Sequence, residues 1–207
     1  MMRIGLDFDN TIIRYDDAFR LTAKQRGLIS PASLGSKQEV RDAIRRLPDG
    51  ELEWQALQGY VYGKGIGGAT LFPGVLDFLQ RARAHGDTVL IVSHKTEHGH
   101  FDPDRVNLRH AALGWMEKNG FFTDQRFSMR VDHVYFASSR SEKVARIGYL
   151  KCDVFVDDLE EVLIDAGFPS FVRRILLSDH AEVTNGGPYQ VCRDWPAIEE
   201  AVFLGRH

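Results

Sequence analysis

The chain has 207 residues, 43% of them hydrophobic, and a formal net charge of −3. That is enough to bury one good core with a small accessory domain, and it lacks the basic field that an obligate nucleic-acid partner calls for, which leaves small molecules as the expected partners. Its two cysteines, Cys152 and Cys192, have neither CxxC spacing nor zinc-like histidine neighbours, so they read as reduced thiols of a cytoplasmic protein; no stretch reaches the ~20 apolar residues of a membrane span, and no secretory leader is expected.

Residues 3–8 read as a buried parallel strand built on Ile4, Leu6 and Phe8, yet the stretch LDFDNT places Asp7 and Asp9 at its end. Like charges this close raise each other's cost of ionisation, so the pair calls for a cation or a shared proton. Residues 14–27 carry helical spacing and stop at Gly27. Ser36 and Glu39 form a capping box for a second helix, ended by Pro48-Asp49-Gly50, and GELEWQALQGYVYG is a third. Three helices without a strand exceed a simple crossover, so 14–71 is expected to be a small all-α cap lying over whatever the first strand presents, with 1–13 and 72–207 as the core. Within it, Arg41, Arg45 and Arg46 read as a solvated helix face, and Trp54, Tyr60 and Tyr62 as filling of the small core. Gly63, Gly65 and Gly68 formally match GxGxxG, but the run follows a helix and precedes Phe72-Pro73, so it reads as a hinge and not as a dinucleotide site.

From Pro73 a helix runs to Gly86, and TVLIVS (88–93) is the second core strand. The polar loop that follows holds His94, Lys95, His98, His100, Asp102 and Asp104. Its histidines read as solvated or substrate-facing, and Lys95 as a cation for a second anionic group of a substrate. A helix to Gly120, a third strand at 131–138, a boxed helix from Ser139, a fourth strand DVFVDD (153–158), a short helix, a fifth strand at 172–179 and a terminal helix near WPAIEEAVFLG complete the alternation. The fold class is α/β: a Rossmann-like three-layer core with a five-stranded, mainly parallel sheet, whose ligands belong at the carboxyl ends of the strands. There stand Asp7 and Asp9, Ser93, Lys143 and Asp157 with Asp158. Carboxylates gathered in one crevice with a lysine suit Mg²⁺, which takes one or two protein carboxylates and uses substrate phosphate as a further ligand.

DFDNT, IVSHKT, a lysine that begins a helix, and FVDDLEEV resemble the four motifs of the haloacid dehalogenase (HAD) superfamily, in order and spacing across essentially the whole chain. The resemblance implies that Asp7 is a nucleophile forming an aspartyl-phosphate. Asp9 would protonate the leaving oxygen, then take a proton from the hydrolytic water, and touch Mg²⁺ through its carbonyl. Thr11 would support the loop, Ser93 would bind a phosphoryl oxygen beside His94 and Lys95, and Lys143 would pair with phosphate and Asp7. Asp158 would ligate Mg²⁺ directly and Asp157 through a metal-bound water. The second Asp of the first motif separates the superfamily's phosphatases from its dehalogenases. The expected protein is a Mg²⁺-dependent phosphatase of a small phosphorylated metabolite, a sugar phosphate or nucleotide-like monoester, acting as a monomer or homodimer. The alternatives are a phosphotransferase or mutase on the same scaffold, or a non-catalytic binder of phosphorylated ligands.

Overall fold

The computed structural model describes residues 1–33, 35–99, 104–123, 126–127, 129–179 and 187–205. It divides into two compact units, one of Met1–Ile13, Leu71–Lys95 and Gly120–His207, the other of Arg14–Thr70 and Thr96–Asn119.

The first unit is built on a sheet of six strands: β1 (Arg3–Leu6), β4 (Thr88–His94), β5 (Val134–Ala137), β6 (Val154–Asp157), β7 (Arg173–Leu177) and β8 (Gln190–Cys192). Two short strands, β2 (Ile13–Arg14) and β3 (Thr70–Leu71), pair with each other apart from it. The order across the sheet is β5-β4-β1-β6-β7-β8, and every pairing is parallel. Sequence led to five strands. The sixth, Gln190–Cys192, is three residues long and too short to show a period of its own. The third core strand also starts later than expected, at Val134, because Val131–His133 form a 3-10 turn in which the Arg130 guanidinium pairs with Asp132.

Side chains along β4 alternate between two buried faces, as a parallel sheet covered on both sides requires. Leu90 and Val92 join Phe155 and Leu176 against Val144 and Ile147 of α6 (Arg140–Tyr149) and Leu163 of α7 (Glu160–Leu163). On the other face α4 (Val75–Ala84) lies beside α8 (Trp195–Phe203), with the Phe78 ring 4.9 Å from Trp195 and 5.2 Å from Phe203. Helix α4 begins two residues after Pro73 because Gly74, at φ +88°, turns the chain into it; a Cβ there would stand 2.8 Å from that of Trp195. Cys152 is buried in the α6 face, and burial pushes its thiol up to about 12.

The second unit holds α1 (Asp16–Gln25), α2 (Lys37–Arg45), α3 (Gly50–Tyr62) and α5 (Leu108–Lys118). The capping box of Ser36 and Glu39 is formed as read from sequence. Phe19 stacks on Trp54 at 5.0 Å, Tyr62 meets Tyr15 edge-on at 4.8 Å, and Lys37 Nζ donates to the Tyr62 hydroxyl at 2.7 Å. Trp54 is therefore core, while Tyr60 is exposed and carries the Arg26 guanidinium 4.7 Å above its ring. Arg45 pairs with Glu51 and Arg41 with Asp42 on the outer face. Residues Lys64–Gly68 form a 3-10 turn after α3, so the glycine run lies in no strand-to-helix phosphate loop.

Gly5 sits in the middle of β1, where a Cβ would lie 2.4 Å from the Phe155 ring and 2.9 Å from Cys152 Sγ. Gly5→Ala is expected to overpack this point and lower stability by about 1–3 kcal/mol, read as a lower urea midpoint with an unchanged slope.

Candidate active site

The chain runs outward from β1 to β5 on one side, then returns through α6 to β6 and runs outward again on the other. The carboxyl ends of β1 and β6 therefore flank a switch point, where the two directions of crossing leave a crevice. Leu6 and Val156 are partners in register, so Asp7 and Asp157 follow side by side, and the Asp7 amide donates to the Val156 carbonyl at 2.9 Å. Beyond Asp7 the backbone turns sharply: Asn10 takes φ +57°, a conformation Asn tolerates better than most residues, and Ile12 and Ile13 donate back to the Phe8 carbonyl. Trp195 Nε1 donates to the Thr11 carbonyl at 2.9 Å and pins this loop from α8.

Lys143 lies in the first turn of α6, whose N-terminus Ser139 caps by accepting from the Glu142 amide. Its side chain is only 1% exposed, and its Nζ stands 2.6 Å from Asp7 Oδ1 and 2.7 Å from Asp157 Oδ2. Burial disfavours an ammonium, but the two carboxylates outweigh that and hold Lys143 protonated, above its ordinary range. Asp157 also accepts from the Leu159 amide at 3.0 Å. Asp158, partly exposed, accepts from Thr11 Oγ1 at 3.3 Å. The segment behind it is tied down by the Tyr189 hydroxyl, which donates to Glu160; no spacing in the sequence links those two residues.

Asp7, Asp157 and Asp158 each offer an oxygen within 4.8 Å of the others. Burial raises the Asp7 carboxyl well above its usual range, Lys143 opposes this, and Asp157, Asp158 and Asp9 add to it. Burial likewise raises Asp157, against the pull of Lys143. Three carboxylates share one ammonium, which touches Asp7 and Asp157 and not Asp158, and an all-oxygen donor set left short of positive charge fits a small hard cation such as Mg²⁺. Ser93, at the end of β4, is buried, and its hydroxyl has no hydrogen-bond partner among the described residues, an arrangement that suits an incoming acceptor oxygen.

The remaining residues singled out from sequence divide. Lys95 is 4% exposed and its Nζ stands 2.7 Å from Asp9 Oδ2, so the lysine read as a substrate-facing cation is engaged with the second aspartate of the first motif. Asp9 is outside the carboxylate triad. His94 is exposed, with Nε2 3.2 Å from the Ser138 carbonyl. His98 Nδ1 is 3.4 Å from the Val106 carbonyl, and Asp104 pairs with Lys64. His100 and Asp102 lie outside the described residues. Among the described residues, the acidic triad is the single cluster able to hold a metal ion.

Comparison by sequence finds no matching protein family and no detectable relative among curated proteins. Solved structures share the fold. Protein Tyrosine Kinase A of Mycobacterium tuberculosis superposes with a TM-score of 0.58 at 16% identity, with 97% of each chain covered. A HAD family hydrolase from Deinococcus radiodurans R1, solved with bound phosphate and sodium, gives 0.54 at 15% identity over 98% of this chain and 95% of its own. A predicted phosphoglycolate phosphatase from Haemophilus somnus gives 0.52 at 15% identity over 98% of each chain. The fold is thus the Rossmann-like α/β fold of HAD-superfamily hydrolases; of the four motifs read in the sequence, three fall at the carboxyl ends of β1, β4 and β6, and the fourth, Lys143, falls in the first turn of α6. No helix among the described residues is long and apolar enough to cross a membrane.

The charge imbalance predicts ion binding that calorimetry can follow. MgCl₂ at about 100 times its Kd should stabilise the protein by about 2.7 kcal/mol, seen as a higher thermal midpoint. Asp158→Asn should fold normally and lose most of that increment, whereas a wild-type midpoint indifferent to Mg²⁺ would rule the triad out as its site.

Proposed function

We propose that the protein is a Mg²⁺-dependent phosphatase that hydrolyses a small phosphomonoester through an aspartyl-phosphate on Asp7. The observation that carries this reading is Lys143, buried between Asp7 and Asp157 beside the unpartnered hydroxyl of Ser93. Asp7, on the rim of the central strand, attacks phosphorus as the bond to the leaving oxygen breaks. Asp9 delivers the proton that this oxygen requires, and in the second step takes one from the water that attacks the acyl phosphate. Lys143 and Ser93 hold phosphoryl oxygens, and Thr11 keeps Asp158 in place through the hydrogen bond between them. Asp7, Asp158 and the Asp9 carbonyl would hold Mg²⁺ directly and Asp157 through a water, and the bound ion would supply the positive charge that a carboxylate needs to approach a phosphoryl dianion. The phosphate bound to the Deinococcus radiodurans neighbour is in keeping with a phosphoryl ligand. The acidic net charge favours a metabolite such as a sugar phosphate or nucleotide-like monoester over a nucleic-acid end.

A second reading has a specific support. A kinase by name is among the structures of this fold, so the phosphoryl group on Asp7 would in that case pass to a second substrate and not to water.

Phosphate release from sugar phosphates, nucleotides and p-nitrophenyl phosphate, in Mg²⁺ or EDTA, separates these readings. Wild-type enzyme is expected to release phosphate only with Mg²⁺, and Asp7→Asn to lose at least about 10³-fold in kcat. Stoichiometric labelling of Asp7 without turnover would favour the transferase. Neither labelling nor release, with the protein folded and Mg²⁺ bound, would leave a binding role.

A further inference from the structure

Lys95 was expected to meet an anionic substrate group, and its surroundings assign it elsewhere. It follows the last residue of β4, and its amide donates to the Ala137 carbonyl at 3.0 Å, which fixes its backbone between β4 and β5. From there the side chain runs inward, 3% exposed, along the Phe8 ring, whose centre is 5.9 Å from Nζ. It ends 2.7 Å from Asp9 Oδ2, while the Asp9 side chain is 20% exposed. A buried amine needs a hydrogen-bond partner, and Asp9, which fills that role, lies one residue before the turn at Asn10. A buried link between the ends of two neighbouring strands fixes one oxygen of the carboxyl and with it the plane of the group.

We propose that Lys95 is a positioning residue for proton delivery by Asp9: it aims the Asp9 carboxyl at the leaving oxygen and does not bind the substrate. This inference rests on the phosphatase reading. Proton delivery matters most when the departing oxygen is strongly basic, as in an alkyl phosphate, and least for p-nitrophenyl phosphate, whose leaving group departs as a stable anion. Loss of Lys95 should therefore act on kcat and depend on the leaving group. A substrate-binding lysine would instead raise KM for both compounds.

The test compares the best alkyl phosphate of the panel with p-nitrophenyl phosphate in wild type, Lys95→Met, Asp9→Asn and the double variant, all with saturating Mg²⁺. Lys95→Met is expected to lose on the order of 10²-fold in kcat with the alkyl phosphate and at least tenfold less with p-nitrophenyl phosphate, KM staying within about threefold for each. The double variant should be no slower than Asp9→Asn alone, because a residue that acts through Asp9 has nothing left to position. It also carries no uncompensated charge, so it informs even if Lys95→Met folds poorly. Equal losses on both substrates, a rise in KM with kcat unchanged, or additive losses in the double variant would overturn the proposal and leave the phosphatase reading standing. Absence of Mg²⁺-dependent release by wild type would instead remove the reading beneath it.

Discussion

The arrangement depends on one ammonium group. Lys143 sits within 2.7 Å of carboxylates from two adjacent strands, in a place water does not reach. Without it Asp7 and Asp157 would face each other at the centre of a sheet, where charge is costly to bury and like charges costlier still. With it the region remains short of positive charge. The same geometry that makes the carboxylates tolerable keeps them receptive to a further cation and to a phosphoryl group.

Topology explains why that ammonium arrives where it does. Helix α6 leaves the outer strand β5 and crosses beneath β4 and β1 to reach β6, so its first turn points to the switch point of the sheet. Lys143 in that turn touches both strands of the crevice, whereas Val144, the next residue round the helix, and Ile147, a turn on, face the buried cluster. The loops that carry Asp9 and Asp158 are cross-braced by Lys95, Thr11, Trp195 and Tyr189, each reaching from a different segment.

Much of this was legible in the sequence because strand and helix periods are strong where both faces of an element are buried. TVLIVS and DVFVDD announce central strands, and acids at their ends stand out against the apolar runs before them. Local rules also sufficed for the Ser36–Glu39 box and the cap at Ser139. What the sequence did not show was pairwise and long-range. The three-residue edge strand β8 gains its conformation from β7, not from its own pattern. Lys95 reads from sequence as a cation for a second anionic group of a substrate, because nothing near it in sequence indicates that it turns inward onto Asp9. Tyr189 is one aromatic among several until its hydroxyl is found on Glu160.

The bond from Trp195 to the Thr11 carbonyl spans 184 positions, and that from Lys143 to Asp7 spans 136. The acidic loop is made well before Lys143 and α8, which complete its surroundings. Until Lys143 has been made, Asp7 lacks its counter-charge, and burying it at the end of β1 is costly. Contacts this distant make folding slow, since loop closure is lost before packing repays it. The carboxylates are therefore aimed late: they gain a fixed geometry only when α6 brings Lys143 between them and α8 docks Trp195 on their loop.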